Sequence, residues 1–148
     1  MASAPAGCLN REVDPSISRL IGRFYAELWN AWDDAAVEQV LAQGFKFRGS
    51  MGTETSGPDG WRGYRDTIRA AAPDFHNEVI ELVANDDRAA VRLLYTGHHR
   101  GVLAGIPGTG RHFQYSGAAF FTSSVGRLTS AWVLGDLDGL RRQLQPPS

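Results

Sequence analysis

The order in which two hydrophobic periods occur constrains the fold of this chain more than any other feature. Apolar residues recur every three or four positions between Ile17 and Ala31, and again between Trp61 and Ala72, which is typical of amphipathic helices. From Phe75 onward the pattern changes to long alternating segments that are separated by short turns. Helices followed by such a series of strands predict an α+β domain in which neighbouring strands are antiparallel.

Start and stop signals divide the two halves into elements. Gly44 and Pro73 are predicted to end helices, because glycine favours the position after a helix and proline cannot continue one. We predict helices over 16–31, 33–44, 61–72 and 137–144, a loop over 49–60, and strands over 45–48, 75–84, 88–101, 111–121 and 127–135. A long twisted antiparallel sheet curls. We therefore expect a cone-shaped sheet, packed by the N-terminal helices, that encloses an apolar pocket.

Length and charge exclude several classes of protein. The 148 residues fit a single domain, predicted over 15–145, and residues 1–14 are expected to form a flexible tail. The formal net charge is −1 and no basic stripe is present, which argues against a nucleic-acid partner. Cys8 is the single cysteine, so no internal disulfide is possible. No apolar run reaches the roughly 20 residues of a membrane helix, so we expect a cytoplasmic protein without membrane contact.

Asp136 is the first candidate for chemistry. It follows the last predicted strand, and strict alternation places it on the same face as Leu128, Trp132 and Leu134. A carboxylate at the end of an apolar face loses hydration and holds a proton more readily, which suits a general base near neutral pH. The alternative is that Asp136 caps the turn over 135–139, a role that suits Asp138 better on sequence grounds.

His98 and His99 are adjacent in a predicted strand and should point to opposite faces. His99 shares its face with Val91, Leu93 and Tyr95, so it is the candidate for a supporting role as a proton carrier or as a donor to an oxyanion. The alternative is a hydrogen-bonded histidine at the rim of the pocket. Adjacent strand histidines diverge, and neither HExxH nor CxxC spacing occurs, so we expect no metal site.

Aromatic residues are the candidates for the pocket wall. The chain has four tryptophans and four tyrosines, which could line a site for a flat, polycyclic ligand, although tryptophans are more often core residues. The residues selected as substrate-binding are Trp132, Tyr25, Trp29 and Phe45. The glycine-rich segment 105–110 lacks the GxxxxGK[ST] spacing of a phosphate-binding loop, and no GxSxG segment indicates a nucleophilic serine.

Several segments carry a family resemblance through their order and spacing. They are Arg23 to Asn30 followed by Asp33, the G-x-H-x-G element Gly97 to Gly101, the G-x-P-x-T-G-R loop Gly105 to Arg111, Gly126 to Leu128, Trp132 to Asp136, and Leu140 with Gln143 and Leu144. Together these segments resemble the SnoaL-like polyketide cyclases of the nuclear-transport-factor-2-like superfamily. The resemblance covers residues 17–144.

The resemblance implies a cone-shaped α+β fold and a homodimer or homotetramer formed through the sheet. It also implies ring closure by intramolecular aldol condensation on a hydrophobic, aromatic polyketide-type molecule, with no metal and no cofactor. The carboxylate at the position of Asp136 is the general acid/base in such cyclases, and Asp136 or His99 would protonate the alkoxide that forms.

Two departures keep other functions open. Some cyclases have a second polar residue on the preceding strand, where this chain has Gly117, Ala118 and Ala119. A cofactor-free hydroxylase or a hydrolase of the same fold is one alternative, although a hydrolase would need a second acid facing Asp136. A non-catalytic domain that binds a small molecule is the other alternative.

Overall fold

A computed structural model describes residues 14–145, so the tail predicted over 1–14 lies almost entirely outside the described residues. The helices are α1 (Ile17–Arg23, continued by a π-helical turn over Phe24–Trp29), α2 (Val37–Val40, preceded by a 3₁₀ turn over Asp34–Ala36), α3 (Gly57–Ala71) and α4 (Leu137–Leu144). The strands are β1 (Leu41–Arg48), β2 (Glu54–Ser56), β3 (His76–Ala84), β4 (Arg88–His98), β5 (His112–Ser124) and β6 (Arg127–Gly135). Within this part of the chain, no helix combines the length and the apolar character needed to cross a bilayer.

All six strands form one curved, unclosed sheet in the order β2–β1–β6–β5–β4–β3. The antiparallel pairing predicted for the second half is confirmed between β3, β4, β5 and β6. The pairing of β1 with β6 is parallel, so the sheet is mixed rather than wholly antiparallel. The two strands are joined by a long crossover through α3 and the intervening strands, as a parallel pair requires, and not by a tight turn.

The predicted element bounds fail at two glycines. The second helix ends at Val40 rather than at Gly44, because Leu41 already adopts extended geometry and begins β1. The loop predicted over 49–60 contains β2 and the first turn of α3, which begins at Gly57 and has Pro58 in its first turn. Proline in a first helical turn removes an N–H that would have no partner in the helix, so it marks a helix start here and not a loop.

A bulge in β6 reverses the alternation on which the orientation of Asp136 was predicted. Thr122 pairs with Ser130 whereas the next residue of β5 pairs with Leu128, so Thr129 is an extra residue on β6. Leu128 is buried before the bulge, but Trp132 and Leu134 lie on the outer face after it, 45% and 52% exposed. The prediction that these residues share one face is therefore wrong.

The core is built from the inner face of the sheet and the inward faces of α1 and α3. Phe24 lies at its centre and contacts the rings of Tyr25, Trp29, Phe45 and Trp61, as well as that of Phe121 in β5, at centroid distances of 5.1 to 6.5 Å. The π-helical turn places Phe24, Tyr25, Leu28 and Trp29 all on buried positions. Turns of this kind occur as single insertions in α-helices and are frequent at functional sites.

Phe121→Ala should destabilise the protein strongly, because its ring is 1% exposed and closes the aromatic core against Phe24. We expect the free energy of unfolding to fall by about 3–5 kcal/mol in urea denaturation. Val102→Ala is the control, since Val102 is 66% exposed and its truncation should change stability by less than about 0.5 kcal/mol. Equal losses in the two variants would contradict this description of the core.

Candidate active site

A small apolar pocket lies between α1, α3 and the inner face of the sheet. Its lining residues are Phe24, Tyr25, Trp29, Phe47, Ser50, Tyr64, Ile68, Phe75, Asn77, Tyr95 and Val133. The space that the centres of water molecules can occupy is about 20 Å³, which is enough for one or two waters. A multi-ring ligand therefore enters only if lining side chains or the loop beside Ser50 move.

Of the four predicted wall residues, the structure brings two to the pocket. Tyr25 and Trp29 reach it from the π-helical turn of α1. Phe45 is fully buried in the core and is not among the lining residues. Trp132 lies on the outer face of the sheet, where the Arg48 guanidinium stacks over its ring at 4.9 Å. The bulge at Thr129 is the physical reason that Trp132 faces away from the pocket.

Tyrosine hydroxyls supply much of the polarity of this region. The Tyr64 hydroxyl accepts a hydrogen bond from the Met51 N–H at 3.3 Å. The Tyr115 hydroxyl, next to the pocket, shares a hydrogen bond of 3.2 Å with Ser50 Oγ. These two contacts hold the loop that follows β1 against the pocket. Burial raises the pKa of Tyr64 and of Tyr115, so both phenols are protonated at neutral pH.

Asn77 is the remaining polar lining residue, and it is fixed by Asn30 at the end of the π-helical turn. The Asn77 N–H donates to Asn30 Oδ1 at 2.8 Å, and Asn30 Nδ2 donates to the Asn77 carbonyl oxygen at 2.9 Å. This reciprocal pair ties α1 to β3 and so fixes the width of the pocket at that end.

Asp136 is exposed and is the N-cap residue of α4. Its Oδ1 accepts a hydrogen bond from the Gly139 N–H at 3.0 Å, and it is not among the lining residues. The predicted orientation into the pocket is therefore wrong, and the capping alternative describes the observed geometry. Asp138, which sequence reasoning favoured as the cap, instead pairs with Arg142 one turn later. The preceding residue, Gly135, nevertheless adjoins the pocket rim, since a Cβ on it would lie 3.0 Å from the Ser50 Cβ.

His99 is fully buried, but outside the pocket. Strand β4 ends at His98, so the chain has left the sheet at His99 and the alternation no longer applies. The Thr109 N–H donates to His99 Nδ1 at 3.2 Å, and His99 Nε2 lies 2.9 Å from the Ile106 carbonyl oxygen, to which it donates. The predicted position on the pocket face is wrong, and His99 anchors the loop between β4 and β5.

Nine of the eleven lining residues were not predicted as site residues, and four of these nine are polar: Ser50, Tyr64, Asn77 and Tyr95. Tyr95 lies on the face of β4 that was predicted to be apolar, and Tyr64 follows Trp61 at helical spacing. Ser50 lies in a segment predicted as a loop, where periodicity carries no information, and Asn77 is a polar residue at the start of a strand. Among residues 14–145, no three His, Cys, Asp or Glu side chains are grouped so that they could hold a metal ion.

The comparisons with known proteins agree with this fold. The family model described as SnoaL-like polyketide cyclase matches residues 19–144. No curated protein matches the chain. A SnoaL-like protein from Jannaschia sp. CCS1, described as a proposed polyketide cyclase, superposes with a TM-score of 0.81 at 17% identity, over 95% of this chain and 99% of that chain.

Two structures from Streptomyces share more of the sequence. TsrD from Streptomyces laurentii has a TM-score of 0.78 at 27% identity, over 90% of this chain and 98% of that one. IdmH, a proposed polyketide cyclase from Streptomyces antibioticus, has a TM-score of 0.74 at 26% identity, over 86% of this chain and 96% of that one. With the family model covering nearly all of the described residues, the chain belongs to the SnoaL-like polyketide cyclase family.

Proposed function

We propose that this chain is an enzyme that binds a hydrophobic, aromatic polyketide-type molecule in the pocket between α1, α3 and the sheet, and closes a ring in it by intramolecular aldol condensation. The observation that carries the proposal is the lining of that pocket. Trp29, Phe24 and Phe75 form aromatic walls, and a few hydroxyl and amide groups project among them. Sites for small organic ligands typically combine apolar walls with a few convergent polar groups.

The reaction needs only acid–base chemistry. A base removes a proton from a carbon next to a carbonyl group, and the electron pair of that C–H bond moves onto the carbonyl oxygen to give an enolate. The enolate carbon then forms a bond to a second carbonyl carbon of the same molecule, and the oxygen of that carbonyl becomes an alkoxide. The protonated base returns its proton to the alkoxide, so protons and electrons balance.

Asp136 is our candidate for this base because it occupies the position of the acid/base carboxylate in the family resemblance. The preceding residue, Gly135, adjoins Ser50 at the pocket rim, and the cap from Asp136 to Gly139 uses one carboxylate oxygen, Oδ1. His99 is not part of the proposed mechanism, since both of its ring nitrogens are engaged in the loop that it anchors.

Asp136→Asn tests the proposed base without removing the helix cap, because asparagine caps helices about as well as aspartate. We expect turnover of an aromatic polyketide substrate, measured by chromatography and mass spectrometry, to fall about 10²–10⁴-fold. Asp138→Asn is the matched control, since it neutralises an exposed carboxylate two residues away and should leave turnover unchanged. Wild-type turnover in Asp136→Asn would remove Asp136 from the mechanism.

The hydrogen bond by which Asp136 caps α4 predicts an effect on stability that is separate from any effect on turnover. Asp136→Ala should lower the free energy of unfolding by about 1 kcal/mol, because the Gly139 N–H at the start of α4 loses its acceptor. Asp136→Asn should keep the free energy of unfolding of the wild type to within a few tenths of a kcal/mol. Urea denaturation of both variants measures the difference, and equal destabilisation by Ala and Asn would show that the cap does not explain the role of the side chain in folding.

A non-catalytic binding domain is the second candidate, and one observation favours it. Among the described residues that line the pocket there is no carboxylate and no histidine. A binding domain would hold the same aromatic ligand with equal affinity in wild type and Asp136→Asn, and wild type would return it unchanged. Incorporation of oxygen into a product would instead indicate a hydroxylase.

We also propose that the protein forms a homo-oligomer through the outer face of the sheet. Phe120, Trp132 and Leu134 on β5 and β6 support this, because each is about half exposed and they lie on neighbouring strands. Exposed apolar patches of this kind mark association surfaces in many soluble proteins. Leu134→Glu should therefore reduce the mass measured by light scattering to that of a monomer, and an unchanged mass would contradict this interface.

A further inference from the structure

Two tyrosine hydroxyls in the pocket have no hydrogen-bond partner among residues 14–145. Tyr25 and Tyr95 are each 4% exposed and both line the pocket. Burial is the leading cause of the raised pKa of each phenol. The hydroxyls of Tyr64 and Tyr115 differ in that they have the partners Met51 and Ser50. Neither oxygen is among the buried unpartnered side-chain atoms of the described residues, which are Thr55 Oγ1 and Trp61 Nε1, so both hydroxyls remain accessible from the cavity that they line. A buried tyrosine whose hydroxyl opens onto a cavity can donate a hydrogen bond to an acceptor atom of a ligand there.

The position of Tyr95 is fixed by a glycine on the neighbouring strand. Gly117 in β5 lies beneath the Tyr95 ring, and a Cβ added at Gly117 would lie 2.7 Å from the tyrosine hydroxyl oxygen. The φ angle of Gly117 is not positive, so space rather than backbone conformation requires glycine here. This glycine is in the segment 117–119, where the family's second polar residue was expected and not found. Strand β4 therefore supplies the phenol of Tyr95 in the space that the small residues of β5 leave open.

The two phenols are suited to donate hydrogen bonds and not to act as bases. Burial raises the pKa of both Tyr25 and Tyr95, and repulsion from the ionised forms of Tyr25, Tyr115 and Tyr64 acts on Tyr95 in the same direction. Both hydroxyls thus keep their protons over the whole physiological range. A hydrogen bond to a charged acceptor is stronger than one to a neutral acceptor, so such donors stabilise an enolate oxygen more than the carbonyl oxygen of the substrate.

We propose that Tyr95 and Tyr25 are catalytic residues whose hydroxyls donate hydrogen bonds to the carbonyl oxygen that becomes negatively charged when the substrate loses its C–H proton. This inference rests on the proposed function. The C–H bond breaks, its proton goes to the base, and its electron pair ends on the oxygen that the two phenols hold. The phenolic protons stay on the tyrosines throughout. Gly117 is a positioning residue that acts through Tyr95, and the substrates that fit are ketones or β-dicarbonyl compounds on an aromatic framework.

The test uses 4-nitro-1-naphthol, a planar aromatic alcohol that ionises readily and whose anion carries negative charge on an oxygen conjugated with the ring, as an enolate does. Its neutral and anionic forms absorb at different wavelengths, so dissociation constants for both are measured by absorbance and by quenching of tryptophan fluorescence. We expect wild type to bind the anion more tightly than the neutral form. Tyr95→Phe and Tyr25→Phe should each weaken binding of the anion about tenfold to a hundredfold and leave binding of the neutral form nearly unchanged.

Two further variants separate hydrogen bonding from packing. Tyr115→Phe removes a hydroxyl that is already paired with Ser50 and does not line the pocket, so it should keep the wild-type preference for the anion. Gly117→Ala adds no polar atom, yet it should abolish the preference by displacing the Tyr95 ring. Circular dichroism checks that each variant is folded, and the two Tyr→Phe variants decide the question if Gly117→Ala does not fold.

The outcomes separate this inference from the proposed function. Equal affinity of wild type for the two forms of the probe would overturn the role of the phenols and leave the pocket as a site for aromatic ligands. Tyr→Phe variants that weaken both forms equally would likewise overturn it, because the rings would then contribute only packing. If neither form binds to wild type, the pocket does not accept an aromatic ligand, and the proposed function falls together with this inference.

Discussion

The packing of one aromatic turn against a curved sheet determines the rest of this structure. Phe24 contacts rings from α1, β1, α3 and β5 at once, so the helices and the sheet meet around a single side chain. Four large side chains of the π-helical turn over 24–29 point inward, since residues one, four and five positions apart share one face of a helix. Tyr25 and Trp29 thereby belong to the core and to the pocket together, and the shape of the pocket depends on the same contacts that stabilise the fold.

The sequence was sufficient for most of the architecture because the long helices and strands have a strong local period. The strand over 127–135 and the helix over 137–144 are found at the predicted residues, and Val91, Leu93 and Tyr95 are buried as their alternation indicated. The parallel pairing of β1 with β6 could not be predicted, since it joins strands that are about 80 residues apart in the chain, and no local signal fixes such a pair.

The site was less predictable, for two physical reasons. A single extra residue, Thr129, changes which face every later residue of β6 occupies, and His99 lies one residue beyond the end of its strand. Both errors come from extending the alternation of side chains between the two faces of a strand beyond the residue at which regular strand pairing ends. The fit of Tyr95 over Gly117 was not predicted either, because it depends on the register between β4 and β5 and cannot be deduced from the order of residues along either strand.

The bulge at Thr129 links two properties of the molecule that are usually treated as independent. After this residue Val133 faces the pocket while Trp132 and Leu134 face outward. Losing the extra residue would rotate the rest of the strand by half a turn, so the indole and the leucine would enter the cavity and the valine would leave it. Insertions or deletions at this point would therefore change the lining of the pocket and the apolar outer face of the sheet in the same event, whereas point substitutions elsewhere on the strand can alter either surface alone.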